Sequence, residues 1–416
     1  MKILLTNATC RNNKGDAAIV STMISELKKQ FPDAEFMLET IDLFKPGEKF
    51  DAVAQVKSFI YFALYSPRLR VFRYVNTLWT FVGVSLWLFL YKLFRINFNF
   101  VLGSEYKETF NNYTKADLIV PVGGGYLTIG SASILTALTL VLRALPMYIA
   151  SVLRVPFVLY SQSIGPFRSK AQEVLMRWAI RRAKLIFVRE TISESLLQKM
   201  GFSKDQYVLV PDAAFLFGVK TRHDETHQEV KEIGVTVRDW FASEKQRQFE
   251  NEMALFAKSL LADGYAINFI PQVDCVNHDN DDDREVVKKI EAIVGKHERV
   301  KYTYEACDHY QVKEMYNKLH VLVGTRMHSN IFALTSYVPC LAIAYEYKTT
   351  GIMKDLGLGE WTVEIGQVKA DSMKKKFDEL INRRDEYLAT MHKNLPPYLE
   401  RAKSIAVKLR HAYEGN

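Results

Sequence analysis

A chain of 416 residues is long for one hydrophobic core and suits two domains. With 48% hydrophobic and 25% charged residues it is not a disordered chain, and its formal net charge of +8 favours anionic partners: phosphorylated substrates, anionic lipid or nucleic acid. No arginine-rich run and no aromatic–basic repeat is present, so nucleic acid is not an expected partner. The four cysteines, Cys10, Cys275, Cys307 and Cys340, form no CxxC pair, which fits reduced thiols in a cytoplasmic protein.

The chain opens on a strand at residues 2–6, and no signal peptide is expected. A polar loop, 7–16, leads into an amphipathic helix at 17–30 with Ile19, Met23 and Leu27 on one face. Asn13, Gly15 and Asp16 lie just before that helix. Amide groups at a helix start bind anions, and Gly15 allows close approach; alternatively Asp16 simply caps the helix. Residues 35–41 form a second strand.

Residues 58–103 are rich in aromatics, and 78–91 carry no charge. Arg68, Arg70 and Arg73 precede this run; Lys92 and Arg95 follow it. The run is short of the roughly 20 residues that cross a bilayer. A buried core helix, a membrane-interface or re-entrant segment, and a true span all remain open. A second apolar helix at 134–153 has Arg143 as its one charge.

Between these, residues 117–125 run from a strand into Gly123, Gly124 and Gly125, a turn that leaves backbone open to a ligand or permits close packing. Residues 156–166 repeat the pattern, strand then polar loop, with Gln162 and Ser163 in the loop. A helix at 170–183 follows, then a strand ending at Arg189, a helix at 191–200 and a strand at 207–212. Residues 218–231 are polar, lack apolar periodicity and read as a linker. Strands and helices then alternate again: strands at 233–238, 266–272, 301–305, 321–323, 341–345 and 362–365, and a helix at 244–263. The acidic loop 279–283, beside His278, offers carboxylates for a cation but suits a solvated helix start better. Residues 371–413 are helical, with a break expected at Pro396 and Pro397.

Alternation in both halves points to two doubly wound α/β domains, 1–217 with an apolar insertion at 58–103, and 232–416. The stretch 321–334 is central. A buried strand runs into Gly324-Thr-Arg-Met-His-Ser329, which places Arg326 and His328 at a strand-to-helix crossing, where open α/β sheets bind ligands. Arg326 offers a fork of donors to a phosphate or carboxylate, and His328 can move a proton near neutral pH. An ordinary ion pair and a satisfied histidine are the plain alternative. The next strand runs towards Glu346 and Lys348, so two strand ends deliver Arg, His, Glu and Lys to one rim.

Several segments together resemble the polysaccharide pyruvyl transferase family: Asn13-Lys-Gly-Asp-Ala-Ala-Ile19, Pro121-Val-Gly-Gly-Gly125, Ser161-Gln-Ser-Ile-Gly-Pro166, Phe187-Val-Arg-Glu190, Pro211-Asp-Ala-Ala214 and the 324–329 motif. The strand at 341–348 with Gly351 and Gly357 adds to the likeness, which covers residues 1 to about 365. Residues 78–91 match no shared motif. The resemblance implies a GT-B-like fold of two Rossmann-like domains facing a cleft. It implies transfer of the enolpyruvyl unit of phosphoenolpyruvate to a sugar of a cell-envelope or exopolysaccharide precursor, as a ketal. The acceptor would be a glycan or lipid-linked oligosaccharide, with no cofactor, no metal and, for such an acceptor, contact at the inner face of the membrane.

That chemistry requires cationic anchors for a phosphate and a carboxylate, for which Arg189 and Arg326 are the first candidates and Arg238 and Lys348 the reserves. It requires an acid for the methylene carbon and a base for the hydroxyl; His328, Glu346 and Asp16 are the candidates. A nucleotide-sugar glycosyltransferase of the same fold, and a non-catalytic peripheral protein binding anionic glycan or lipid, are the rivals.

Overall fold

The structure is a computed structural model and describes residues 1–9, 13–42, 44–45, 47–65, 73–94, 103, 106–128, 134–219, 231–274 and 282–415. Cys10, Arg68, Arg70, Arg95, Cys275, His278, residues 279–281 and most of the expected linker, 220–230, lie outside the described residues.

Two compact units emerge. Met1–Cys10, Ile19–Ala213 and Arg401–Asn416 form the first, and Arg11–Ala18 with Ala214–Glu400 form the second. This differs from a simple division near residue 218. Residues 11–18 group with the second unit because Asn13 bridges to Val273 and the Lys14 amide donates to the Gln272 carbonyl at 3.1 Å. The C-terminal residues group with the first, where Tyr413 meets Phe31 edge-on at 6.0 Å and Arg410 donates to the Gln30 carbonyl at 3.0 Å.

In the first unit, strands β1 (Lys2–Ala8), β2 (Glu35–Thr40), β3 (Lys49–Phe50), β4 (Val53–Lys57) and β5 (Leu118–Pro121) form a sheet in the order β3-β4-β2-β1-β5. It is parallel except for β3, which pairs antiparallel with β4. Strands β6 (Gly124–Leu127), β7 (Val158–Ile164), β8 (Leu185–Val188) and β9 (Tyr207–Leu209) continue in that order, all parallel. A bridge from Ile119 to Phe157 ties the two sheets together. The helices of this unit are α1 (Lys14–Gln30, whose first turn groups with the second unit), α2 (Arg73–Phe94), α3 (Lys107–Lys115), α4 (Ile134–Leu153), α5 (Lys170–Ile180) and α6 (Thr191–Lys199). Helix α1 begins three residues earlier than its apolar periodicity indicates. The Asn13 carboxamide accepts from the Gly15 amide at 3.0 Å and the Asp16 amide at 3.4 Å, so Asn13 caps the helix and Asp16 lies in its first turn.

The uncharged run 78–91 is the middle of α2, a helix of 22 residues, and both α2 and α4 are long and apolar enough to cross a membrane by length and composition. One face of α2 is core. Trp87 is buried and stacks on Phe110 of α3 at a centroid distance of 4.0 Å.

In the second unit, β10 (Glu232–Thr236), β11 (Ala266–Phe269), β12 (Val300–Tyr302), β13 (Val321–Gly324), β14 (Cys340–Ala344) and β15 (Thr362–Glu364) form a wholly parallel sheet in the order β12-β11-β10-β13-β14-β15. Counted within the unit this is 3-2-1-4-5-6, the doubly wound order, with its switch point between β10 and β13. Every residue of β13 and β14 is buried, as expected where helices cover both faces of a parallel sheet. The helices are α7 (Ser243–Ala262), α8 (Asp283–Val294), α9 (His309–Tyr316), α10 (Met327–Leu334), α11 (Tyr347–Asp355), α12 (Ala370–Asn382) and α13 (Arg384–Glu414, which groups with the first unit from Arg401 on). The break expected at Pro396 and Pro397 is absent, and α13 continues through both prolines. Tertiary packing overrides the lost amide donors there: Leu395 is buried and Tyr398 packs on Phe215 at 4.8 Å.

Candidate functional site

The carboxyl edge of the second unit's sheet gathers polar residues from four strand ends. The corner between β13 and α10 is fixed first. The Thr325 amide donates to the Thr236 hydroxyl at 2.9 Å, and the Thr325 hydroxyl donates to the Thr236 carbonyl at 2.8 Å. The Ser329 hydroxyl donates to the Arg326 carbonyl at 2.5 Å and lies 3.0 Å from the Thr236 hydroxyl. Gly324 permits the fold-back, since a Cβ there would meet Oδ1 of Asn330 at 2.1 Å. The ends of β10 and β13 are thereby locked at the switch point.

Arg326 occupies the cap position of α10 and is buried. Its Nε and Nη2 donate to Oδ1 of Asp283 at 3.1 and 2.6 Å. The other oxygen of Asp283 accepts from the Gln272 and Val273 amides at 3.0 and 2.9 Å. Asp283 is fully buried at the start of α8. The carboxylate read from sequence as part of a solvated helix start is thus the partner that orients Arg326 and ties the end of β11 to that of β13. Asp282 takes the capping role, accepting from the Arg284 amide at 3.0 Å.

His328 lies in the first turn of α10, not in the loop before it, because the helix starts at Met327. Its ring rests against the backbone of Gly15: a Cβ on Gly15 would fall 2.0 Å from Nδ1 and 2.1 Å from Cγ. The segment bearing Gly15 is pinned to the same edge by Lys14, whose buried ammonium meets Asp274 at 2.6 Å. Lys14 and Asp274 were not recognised from sequence; the only signal was a lysine within the Asn-Lys-Gly-Asp run. Asp16 follows Gly15, half-buried.

Beyond β10, Arg238 lies over the rings of Tyr345 and Trp240, at 4.3 and 5.0 Å, and those rings are 4.7 Å apart. Strand β14 stops at Ala344, earlier than expected, so Glu346 caps α11 and Lys348 sits in its first turn. Their charges are 3.9 Å apart, with Glu346 exposed and the Lys348 side chain mostly covered. The starts of α1, α10 and α11 therefore meet one sheet edge with Arg238, Arg326 and Lys348, and helix starts carry partial positive charge. Lys313 holds the other end of α10: its ammonium donates to the Phe332 carbonyl at 2.8 Å and to the Thr335 and Ser336 hydroxyls at 2.7 Å each.

The candidates in the first unit occupy a different environment. Arg189 is almost fully covered; its Nε donates to the Ser163 hydroxyl at 2.8 Å and it is paired with both Glu190 and Asp212. Paired with two carboxylates, Arg189 ties strand ends of this sheet together. Gln162 and Ser163 lie inside β7, not in a polar loop, and both are fully buried. The Gln162 amide donates to the Val122 carbonyl and to the Tyr126 hydroxyl, and the Ser163 hydroxyl donates to Glu190. Gly123 serves packing: a Cβ there would meet the Tyr160 carbonyl at 2.8 Å and Ile19 at 3.2 Å. Gly124 and Gly125 open β6 rather than forming part of a turn.

A family model for polysaccharide pyruvyl transferase matches residues 13–347, from the capping Asn13 to the first residue of α11. The chain belongs to the polysaccharide pyruvyl transferase family. Membership makes it a transferase with a polysaccharide acceptor. This pyruvyl transferase family member is 22% identical over 299 residues to the amylovoran biosynthesis protein AmsJ of Erwinia amylovora, covering 68% of this chain and 70% of that protein. Its fold is similar to that of UDP-GlcNAc 2-epimerase from Neisseria meningitidis bound to UDP-GlcNAc, with a TM-score of 0.56, 12% identity and 100% coverage of both chains. Anabaena HepE, solved with UDP and glucose, gives a TM-score of 0.57 at 11% identity, again over 100% of both chains. The fold is GT-B-like α/β, as the motif order implied.

Proposed function

We propose that this protein transfers the enolpyruvyl group of phosphoenolpyruvate to a sugar of an exopolysaccharide or cell-envelope precursor, forming a pyruvate ketal. The observation that supports the reading best is the packing of His328 on Gly15, at a sheet edge that also carries Arg326, Arg238 and Lys348. Phosphoenolpyruvate brings a phosphate and a carboxylate, which suit three cations and three helix starts.

In the proposed reaction His328 protonates the methylene carbon, leaving an oxocarbenium-like centre at C2. A sugar hydroxyl adds there and gives up its proton to Asp16 or Glu346. Phosphate departs, and a second hydroxyl closes the ketal, so the two hydroxyl protons replace those given to the methyl group and to phosphate. Asp283 fixes the guanidinium of Arg326, which restrains the donor. No cofactor enters this scheme.

The test is a donor panel with envelope glycan as acceptor, comparing phosphoenolpyruvate with uridine and guanosine diphosphate sugars. Release of inorganic phosphate together with a gain of one pyruvyl group, read by mass spectrometry, is the expected result. Turnover confined to a nucleotide sugar overturns the reading in favour of a glycosyltransferase.

A further inference from the structure

The first unit carries a helix that is apolar on its outward face as well as its inward one. Along α2, Leu78, Trp79, Val82, Leu86, Phe89 and Leu93 stand 46% to 62% exposed, at the three- and four-residue spacing of one helix face. The opposite face buries Asn76, Thr77 and Thr80 beside Val84, Trp87 and Leu88. The inward face mixes polar and apolar side chains, while six large apolar ones face outward. That is a costly arrangement in water and a stable one against hydrocarbon.

In sequence, the charge flanking α2 has one sign. Residues 58–104 contain no aspartate or glutamate but include Arg68, Arg70, Arg73, Lys92 and Arg95. Within the unit, aromatic rings lead away from α2: Phe81 meets Tyr148 of α4 at 6.1 Å, and Tyr148 meets Trp178 of α5 at 5.2 Å. Trp178 is 42% exposed beside the exposed Arg177, Arg181 and Arg182. Tryptophan with arginine at the border of an apolar face suits the headgroup region of a bilayer.

We propose that the outward face of α2 docks on an anionic lipid bilayer, with the helix lying in the interface and not crossing it. The stacking of Trp87 on Phe110 keeps the other face of α2 in the protein core, so lipid does not surround the helix. The surface is independent of the donor chemistry; that it presents the enzyme to a lipid-linked acceptor rests on the function proposed above.

Vesicle flotation tests the surface without any assay of turnover. The whole protein is expected to float with phosphatidylglycerol vesicles at low salt, weakly at high salt, and not with phosphatidylcholine. Trp79→Ser combined with Phe89→Ser is expected to lower partitioning roughly tenfold or more, with an unchanged melting temperature. Val82→Ser with Leu86→Ser is a second pair, and quenching of wild-type tryptophan emission by bromine-labelled acyl chains needs no variant. Absence of wild-type binding and quenching on anionic vesicles overturns the proposal, as does undiminished binding by both pairs. A soluble dimer that both pairs split into monomers overturns it too, because a second copy then covers the face.

Discussion

Gly15 and His328, more than 300 positions apart in the chain, are in van der Waals contact so close that no side chain fits between them. The imidazole takes its position from the backbone of the segment that starts α1. Gly15→Ala therefore acts on His328 before it acts on the fold. The added methyl displaces the ring, and turnover is expected to fall at least tenfold while thermal melting shifts by only a few degrees, about the effect of 1 kcal/mol. Steady-state rates beside a melting curve check this. A wild-type rate would show that the ring's position is irrelevant.

His328 itself is expected to act in the chemical step. His328→Ala should lower kcat by roughly 10²- to 10⁴-fold, the usual span for a general acid, and leave the Michaelis constant for phosphoenolpyruvate within a few-fold. A change confined to that constant would make it a binding residue.

The Arg326–Asp283 pair is buried, so its members stand or fall together. Asp283→Ala leaves a covered guanidinium without its carboxylate and removes the acceptor of two amides, a loss of about 3–5 kcal/mol. Asp283→Asn with Arg326→Met, which keeps an acceptor for the two amides, should recover much of that stability and none of the activity. Urea titrations distinguish these outcomes. Equal destabilisation in single and double variants would show the ion pair to be unimportant.

Burial raises the carboxyl of Glu39 from its usual value to about 7, against hydrogen bonds from the Tyr113 hydroxyl and the Phe59 amide that lower it. The folded chain thus holds this proton more tightly than the unfolded chain. The resulting stabilisation is fully present below about pH 4.5 and is lost as pH rises through about 7. Glu39→Gln should flatten that part of the profile, and melting temperatures from pH 5 to 8.5 measure it. His320 works in the other direction: burial lowers it to about 4, so its contribution is lost as pH falls from 6.5 towards 4. His320→Phe should lessen the acid-side loss.

Period and composition were enough to read most strands and the longer helices, because a buried parallel strand must be apolar and an amphipathic helix must repeat; the short β3, β4, β6, α3, α9 and α11, and α8, were not read. The positions of β13 and α4, and the rim at Arg326 and His328, followed from local pattern alone. Local pattern could not show what distant segments do to one another. It read Gln162 and Ser163 as loop residues because they are polar, whereas pairing with β6 and a hydrogen bond from Ser163 to Glu190 hold them inside β7. It left Asp283 in solvent because its neighbours are charged, and Arg326 brings it into the core. It treated Trp79 and Trp87 alike, yet packing on α3 buries one and leaves the other exposed. Secondary structure is set by the chain's own neighbours, so sequence carries it; which polar group is satisfied, and which apolar face is covered, depends on partners that only tertiary folding brings near.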